Sequence, residues 1–164
     1  MKQRTAQPVN GIRSQHGITL FELLTAMVIL SLVCVLAIPY YSKWRKDIEC
    51  REAAQNIVLL LREARSKAIA MNREHRVEFE TLTQRYGLRG GDKAAKSNWS
   101  SVPPVNDWMT YSAELHVSVN VHSIQFNTNG TANGGTVTVS NSSILKKVNI
   151  IVNRTGRIRL QHSS

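Results

Sequence analysis

Cysteine is almost missing from this 164-residue chain: Cys34 and Cys50 are the whole supply, so no disulfide framework holds the fold together. Nor are these two expected to pair, because both fall in a stretch patterned as helix. Their separation of 16 positions amounts to ~24 Å along a helix axis, whereas a disulfide requires α-carbons within roughly 7 Å. Packing is the role expected of both. Catalytic signatures are missing too: there is no G-x-S-x-G elbow, no phosphate-binding P-loop and no H-E-x-x-H pair. An enzyme is therefore not expected, and no cofactor is implied. His75, His116 and His122 have no cysteine or acidic cluster beside them at ligand spacing, so no metal site is expected either.

Acidic residues are scarce, 11 against 21 lysines and arginines, for a formal charge of +10. Residues 1–17 hold Lys2, Arg4 and Arg13 but no acid, so the chain beyond them is still basic at +7. Such a balance favours polyanionic partners, nucleic acid and anionic lipid foremost. The composition, 42% hydrophobic and 20% charged, is that of a folded protein rather than a disordered one. Its length allows one globular domain and a tail, not a second large core.

Long apolar runs are absent except in one place. From Ile18 to Ile38 the only charge is Glu22, and these 21 residues suffice as a helix to cross a hydrocarbon core of ~30 Å. An ordinary secretory signal has a shorter apolar region with a small-x-small site after it, which Leu36-Ala37-Ile38-Pro39 matches poorly. Cleavage before the apolar segment fits better. An ionised Glu22 in lipid costs about 2.5 kcal/mol or more without a partner. Either it lies near enough to the surface to stay hydrated, helped by the positive helix N-terminus, or it has a specific partner.

The run Gly17-Ile18-Thr19-Leu20-Phe21-Glu22, with Pro39 beyond it, resembles the prepilin peptidase site of type IV pilins and type II secretion pseudopilins. The resemblance implies a leader at residues 1–17, cleavage after Gly17 by prepilin peptidase, and N-methylation of Ile18. Glu22 and Pro39 then stand fifth and twenty-second in the processed chain, the family's positions for an assembly glutamate and a proline. Ile18 departs from the more usual phenylalanine or methionine. Glu22 of one subunit would neutralise the new amine of its neighbour and so select register in a low-dielectric surrounding. Charge alone does not orient the span, since Lys43, Arg45 and Lys46 follow it as others precede it. The resemblance places the span in the inner membrane with the remainder in the periplasm. Tyr40, Tyr41 and Trp44 then read as an interfacial anchor.

Beyond Pro39, which removes a backbone donor and is expected to kink or loosen the helix, residues 39–73 are amphipathic. Ala54, Ile57, Leu61, Ala64 and Ala68 recur at helical spacing, with Arg51, Glu52, Arg62, Glu63 and Arg65 elsewhere. Helix is expected over 18–72. From His75 the period becomes two, predicting strands near 76–80, 85–89, 114–121, 123–127, 136–139 and 148–152, with a long surface loop over 90–107. Turn signals stand at Asn129-Gly130, Asn133-Gly134-Gly135 and Gly156, the last leading into a short final strand. The fold class expected is α+β: a long N-terminal helix, membrane span over 18–38 and amphipathic half over 39–73, packed on a mainly antiparallel β-sheet domain over 74–164.

The segments Ile124-Gln125-Phe126-Asn127-Thr128-Asn129-Gly130 and Thr155-Gly156-Arg157-Ile158-Arg159 resemble the GspH/FimT family of minor pseudopilins and pilins. Within it, a Gly-Arg-x-Arg end is associated with FimT-like minor pilins that bind DNA and assist natural transformation. The implied DNA site is Gly156, Arg157 and Arg159, with Arg154, Lys146 and Lys147 nearby in sequence. The partner implied is double-stranded DNA met with low sequence specificity, since guanidiniums on one strand face suit successive phosphates. The plainer reading is that Arg157 and Arg159 solvate an edge strand. Trp99 and Trp108 either stack on bases or clamp the loop. Asn98, Asn129, Asn141 and Asn153 each begin an N-x-S/T triplet, which a bacterial processing signal makes chance matches. Two other roles remain open, a GspH-like secretion pseudopilin and a FimU-like subunit that primes pilus assembly; other pilin subunits are partners in every case.

Overall fold

A computed structural model describes residues 18–105, 107–144 and 146–163; the expected leader, Gly17 included, lies outside the described residues. One helix, α1 (Leu20–Ala70), is 51 residues long and continues through Pro39. It begins at Thr19, whose Oγ1 accepts the Glu22 N–H at 3.2 Å. Thr19-x-x-Glu22 is thus a capping-box sequence with the threonine bond formed, and Glu22 sits in the first turn where the helix dipole favours an anion. The end is a Schellman motif closed by an asparagine. Asn72 takes φ 49°, the Arg73 N–H reaches the Ala68 carbonyl at 3.3 Å, and the Asn72 N–H reaches that of Ile69 at 3.4 Å.

The chain divides into two compact units at Tyr40/Tyr41. In the first, the described residues are all exposed except the half-buried Thr25. Thr25 and Ser31 hydroxyls donate to the Glu22 and Val28 carbonyls at 2.9 and 2.7 Å, so their polar groups are satisfied within the helix. Leu20, Phe21, Met27, Leu30 and Leu36 are more than half exposed, as an apolar helix is when its surroundings are lipid rather than protein. α1 is long and apolar enough to cross a membrane.

In the second unit α1 buries Cys50, Ala54, Ile57, Leu61, Ala64 and Ala68, a stripe that returns every three or four residues. The five positions expected from the sequence all lie in it. Outside that stripe it carries the i,i+4 pairs Arg45–Glu49, Asp47–Arg51 and Glu63–Lys67.

The strands are β1 (His75–Glu80), β2 (Arg85–Gly90), β3 (Met109–Thr110), β4 (Leu115–Val119), β5 (Ser123–Phe126), β6 (Gly135–Asn141), β7 (Lys146–Val152) and β8 (Ile158–Ser163). They form two sheets rather than one, ordered β3-β2-β1-β5 and β4-β6-β7-β8. Every pairing is antiparallel. The chain changes sheet between β4 and β5, because β5 pairs with β1 in the register Val77↔Ile124. The two-residue β3 has no period of its own and was not expected from the sequence.

One core joins the helix stripe to Val77, Phe79, Ile124 and Phe126 of the first sheet and to Val117, Val137, Val139, Val148, Ile150 and Val152 of the second. Each such side chain contributes about 1.5–3 kcal/mol when fully buried.

The segment between β2 and β3 is tied down from within. Arg89 donates to the carbonyls of Trp99, Val102 and Pro103 and pairs with Glu78. The buried Glu74 carboxylate accepts the N–H groups of Lys96 and Ser97 at 3.1 and 2.7 Å.

Among the described glycines, Gly156 leaves the least room for a side chain. Its φ is 74°, and a Cβ there would stand 1.9 Å from the Gly130 carbonyl oxygen. Gly156→Ala is expected to destabilise the protein by about 1–3 kcal/mol from backbone strain alone, with the clash added. Thermal melting of the full-length protein in detergent checks this; an unchanged midpoint would mean that the two turns part without cost.

Candidate nucleic-acid interface

Two short turns of the same pattern, Asn127-Thr128-Asn129-Gly130 and Asn153-Arg154-Thr155-Gly156, meet beside α1. In each, the glycine N–H returns to the asparagine carbonyl, at 2.9 Å for Gly130 and 2.8 Å for Gly156. The Ala132 N–H donates to the Arg154 carbonyl at 3.0 Å and joins the first turn to the second. Arg65 of the helix completes the contact, its Nε donating to the Gly130 carbonyl at 3.0 Å. Both glycines need positive φ, and their small size lets helix and turns approach closely.

This junction sets where β8 begins. The Asn153 N–H donates to the Arg157 carbonyl at 3.0 Å, and the strand proper starts at Ile158, half-buried opposite Val152. Arg159 pairs in register with Ile151 and is exposed, as are Arg154 and Arg157. β8 is an edge strand of its sheet. Of the residues proposed from the sequence, Arg154, Gly156, Arg157 and Arg159 therefore gather at one end of β8.

Lys146 and Lys147 do not join them. Lys147 pairs with Ser163 at the far end of β8, four strand positions from the Ile151↔Arg159 pair, or ~13 Å. Lys146 is also engaged: its Nζ lies 2.9 Å from Asp47, which Arg51 approaches at 3.2 Å. The Lys146 hydrogen bond, opposed by partial burial and aided by Arg51, holds the Asp47 carboxyl below its ordinary range. Lys146 thus has an anion of its own.

That contrast extends across the surface. Arg45, Lys46, Arg51, Lys67, Arg76, Arg85 and Arg89 all pair with carboxylates. Among the described residues, the arginines with no such partner are Arg62, Arg65, Arg73, Arg154, Arg157 and Arg159, and the lysines are Lys43, Lys93, Lys96 and Lys147. Arg62 and Arg65, which the sequence pattern marks only as helix surface, lie beside Arg157. With Ser66, Ile69, Gly156, Arg157 and Ile158 they line a groove of about 470 Å³ with no carboxylate in its wall. Their i,i+3 spacing puts both on one helix face, but only the tertiary fold puts Arg157 across from them.

Trp99 and Trp108 already have cationic neighbours. The Arg76 guanidinium sits 4.1 Å from the Trp99 ring centre and that of Arg85 4.6 Å from the Trp108 ring. Both rings are half-buried, which accords with clamping rather than base stacking. His75 is buried, with Nδ1 3.0 Å from the Arg73 carbonyl. At the other end of the chain, Ile18 is exposed just before α1, with Glu22 one turn on and Pro39 inside the helix.

Two family models match the chain: Type II transport protein GspH over residues 53–156, and the prokaryotic N-terminal methylation motif over residues 12–38. A comparison with curated proteins found no match. Among solved structures, the type IV minor pilin FimU of Pseudomonas aeruginosa is similar at 18% identity and a TM-score of 0.56, over 71% of this chain and 90% of that one. The minor pseudopilin EpsH from the Type 2 Secretion System of Vibrio cholerae is similar at 13% identity and the same TM-score of 0.56, over 70% of this chain and 97% of that one. A second crystal form of FimU gives 18% identity and a TM-score of 0.54, over 68% and 91%.

Proposed function

The chain belongs to the GspH family of membrane-anchored pilin-like proteins, and on that premise we propose that it is a minor type IV pilin that binds DNA through the basic end of β8 and assists DNA uptake in natural transformation. Family and fold are those of structural filament subunits, which assemble with other pilins and are not enzymes.

The observation that carries the DNA reading is the clustering of three exposed arginines, Arg154, Arg157 and Arg159, without carboxylate partners at the start of an edge strand, whereas Arg45, Arg51, Arg76, Arg85 and Arg89 are each paired with an acid. A guanidinium matches a phosphate with two parallel N–H groups and keeps its charge at any physiological pH. Binding of this kind is driven by counterion release, depends steeply on salt and reads little sequence. A second reading, a secretion pseudopilin or a pilus-priming subunit without DNA contact, is favoured by the type II transport description of the matching family model.

The processing scheme is part of the proposal: leader over 1–17, cleavage after Gly17, methylation of Ile18, a membrane span over 18–38, amphipathic helix over 39–73 and a periplasmic β-rich domain over 74–164. The methylation-motif match supports it. In this scheme Glu22, in the first helical turn, would neutralise the amine of a neighbouring subunit, and Pro39 is the other assembly position.

Replacing Gly17 is expected to leave an uncut precursor in the membrane, read by its size on a gel; a normal-sized product contradicts the cleavage site. Glu22→Ala is expected to be cut normally yet to enter filaments poorly, and unchanged incorporation removes the pairing role. Full-length protein in detergent, titrated with duplex DNA at two salt concentrations, is expected to bind more weakly at the higher. Arg157→Ala/Arg159→Ala is expected to lose most of that binding and to flatten the log–log salt slope by roughly 1.8, two phosphate contacts' worth. No binding by the wild type at low salt turns the choice to the second reading.

A further inference from the structure

We propose that the groove between α1 and the start of β8 seats a backbone phosphate of the bound duplex, with Arg62 and Arg157 as its principal ligands and Arg65 as both ligand and positioning residue. The inference rests on the DNA reading above and deepens it, because it moves part of the contact from the edge strand onto the helix.

Arg62 and Arg157 are exposed, face a common groove and have no carboxylate partner among the described residues. At about 470 Å³ the groove falls within the ~300–1,000 Å³ of ligand clefts. Its polar lining is cationic or neutral, and Ile69 and Ile158 are its apolar members.

Arg65 differs from its neighbours in being half-buried and tied by Nε to the Gly130 carbonyl. A guanidinium carries five N–H donors, so one of them anchors the side chain while the rest remain for a ligand. The position of a Gly156 Cβ would be 3.1 Å from Arg65 Nε and 1.9 Å from the Gly130 oxygen. Two glycine turns and one arginine thus hold the groove wall in place before any ligand arrives. Such preorganisation removes part of the ordering cost of binding.

The groove is continuous with the edge-strand site through Arg157, which adjoins Arg159 by way of Ile158. A duplex lying along β8 would meet phosphate ligands on both sides of the strand's first residue. An acidic segment of a neighbouring subunit would also be attracted, but the run Arg154, Arg157 and Arg159 beyond the groove favours a ligand with repeating charge.

The test uses full-length protein in detergent and a fluorescent duplex of mixed sequence, titrated over a series of salt concentrations. Arg62→Ala is the informative variant, since Arg62 is exposed and its loss leaves the core intact. Its log–log salt slope is expected to fall by roughly 0.9, one phosphate contact, with affinity several-fold weaker at low salt and partly restored in Arg62→Lys. Lys93→Ala, an exposed cation on the loop after β2, changes net charge equally and is expected to leave the slope unchanged. If Arg62→Ala matches the wild type while Arg157→Ala/Arg159→Ala loses binding, the helix groove is overturned and the edge-strand reading stands. If Arg62→Ala and Lys93→Ala lower the slope alike, the effect is general charge and the groove is likewise overturned. If the wild type does not bind DNA at low salt, both fall together. Impaired filament incorporation by Arg62→Ala would then assign the groove to an acidic protein neighbour.

Discussion

Burial of the stripe from Cys50 to Ala68 is the contact on which the globular unit depends, because one core cluster joins it to apolar residues of both sheets. Neither four-stranded sheet is wide enough to bury itself, and each offers one apolar face. Ala54, Ala64 and Ala68 keep the buried stripe slim, and Ile57 and Leu61 supply its bulk. The same helix, toward its N-terminus, displays leucine, isoleucine and valine outward. One continuous element therefore meets two different solvents, and its polar pairs begin only after the apolar run ends, at Arg45–Glu49 and Asp47–Arg51.

From the helix, order passes to the turns through Arg65. Its bond to Gly130, and the close seating of Gly156 on that carbonyl, determine the point at which β8 starts. The start of β8 in turn determines which of its residues face the core. Ile158 turns inward opposite Val152, so Arg159 is left outward opposite Ile151. A glycine with positive φ at position 156 is thus connected to the display of two arginines by register, not by direct contact.

The other long connection, between β2 and β3, shows how arginine serves structure where a carboxylate is at hand. Arg89 closes it by hydrogen bonds to three carbonyls and an ion pair with Glu78. Arg76 and Arg85 join acids and lie on Trp99 and Trp108. Those side chains are committed to the fold. Arg62, Arg154, Arg157 and Arg159 have no carboxylate to serve, and their concentration near Gly156, rather than total charge, marks one patch on a generally basic protein.

Local pattern sufficed for much of this. Apolar spacing of three and four between Ala54 and Ala68 identified the buried helix face, alternation identified the main strands, and Gly-Arg-x-Arg identified the exposed end of β8, because each is a property of neighbouring residues. The membrane-long apolar run and its single acid were equally plain. Non-local pairing decided the rest. That β5 leaves β4 to join β1, that two residues at 109–110 form a strand, and that Lys146 spends its charge on Asp47 depend on partners distant in the chain. So does the groove, since Arg62 and Arg157 are 95 positions apart and meet only because α1 covers the sheet that ends in β8. Periodicity names the face on which a side chain stands; only the packing of elements determines what stands opposite it.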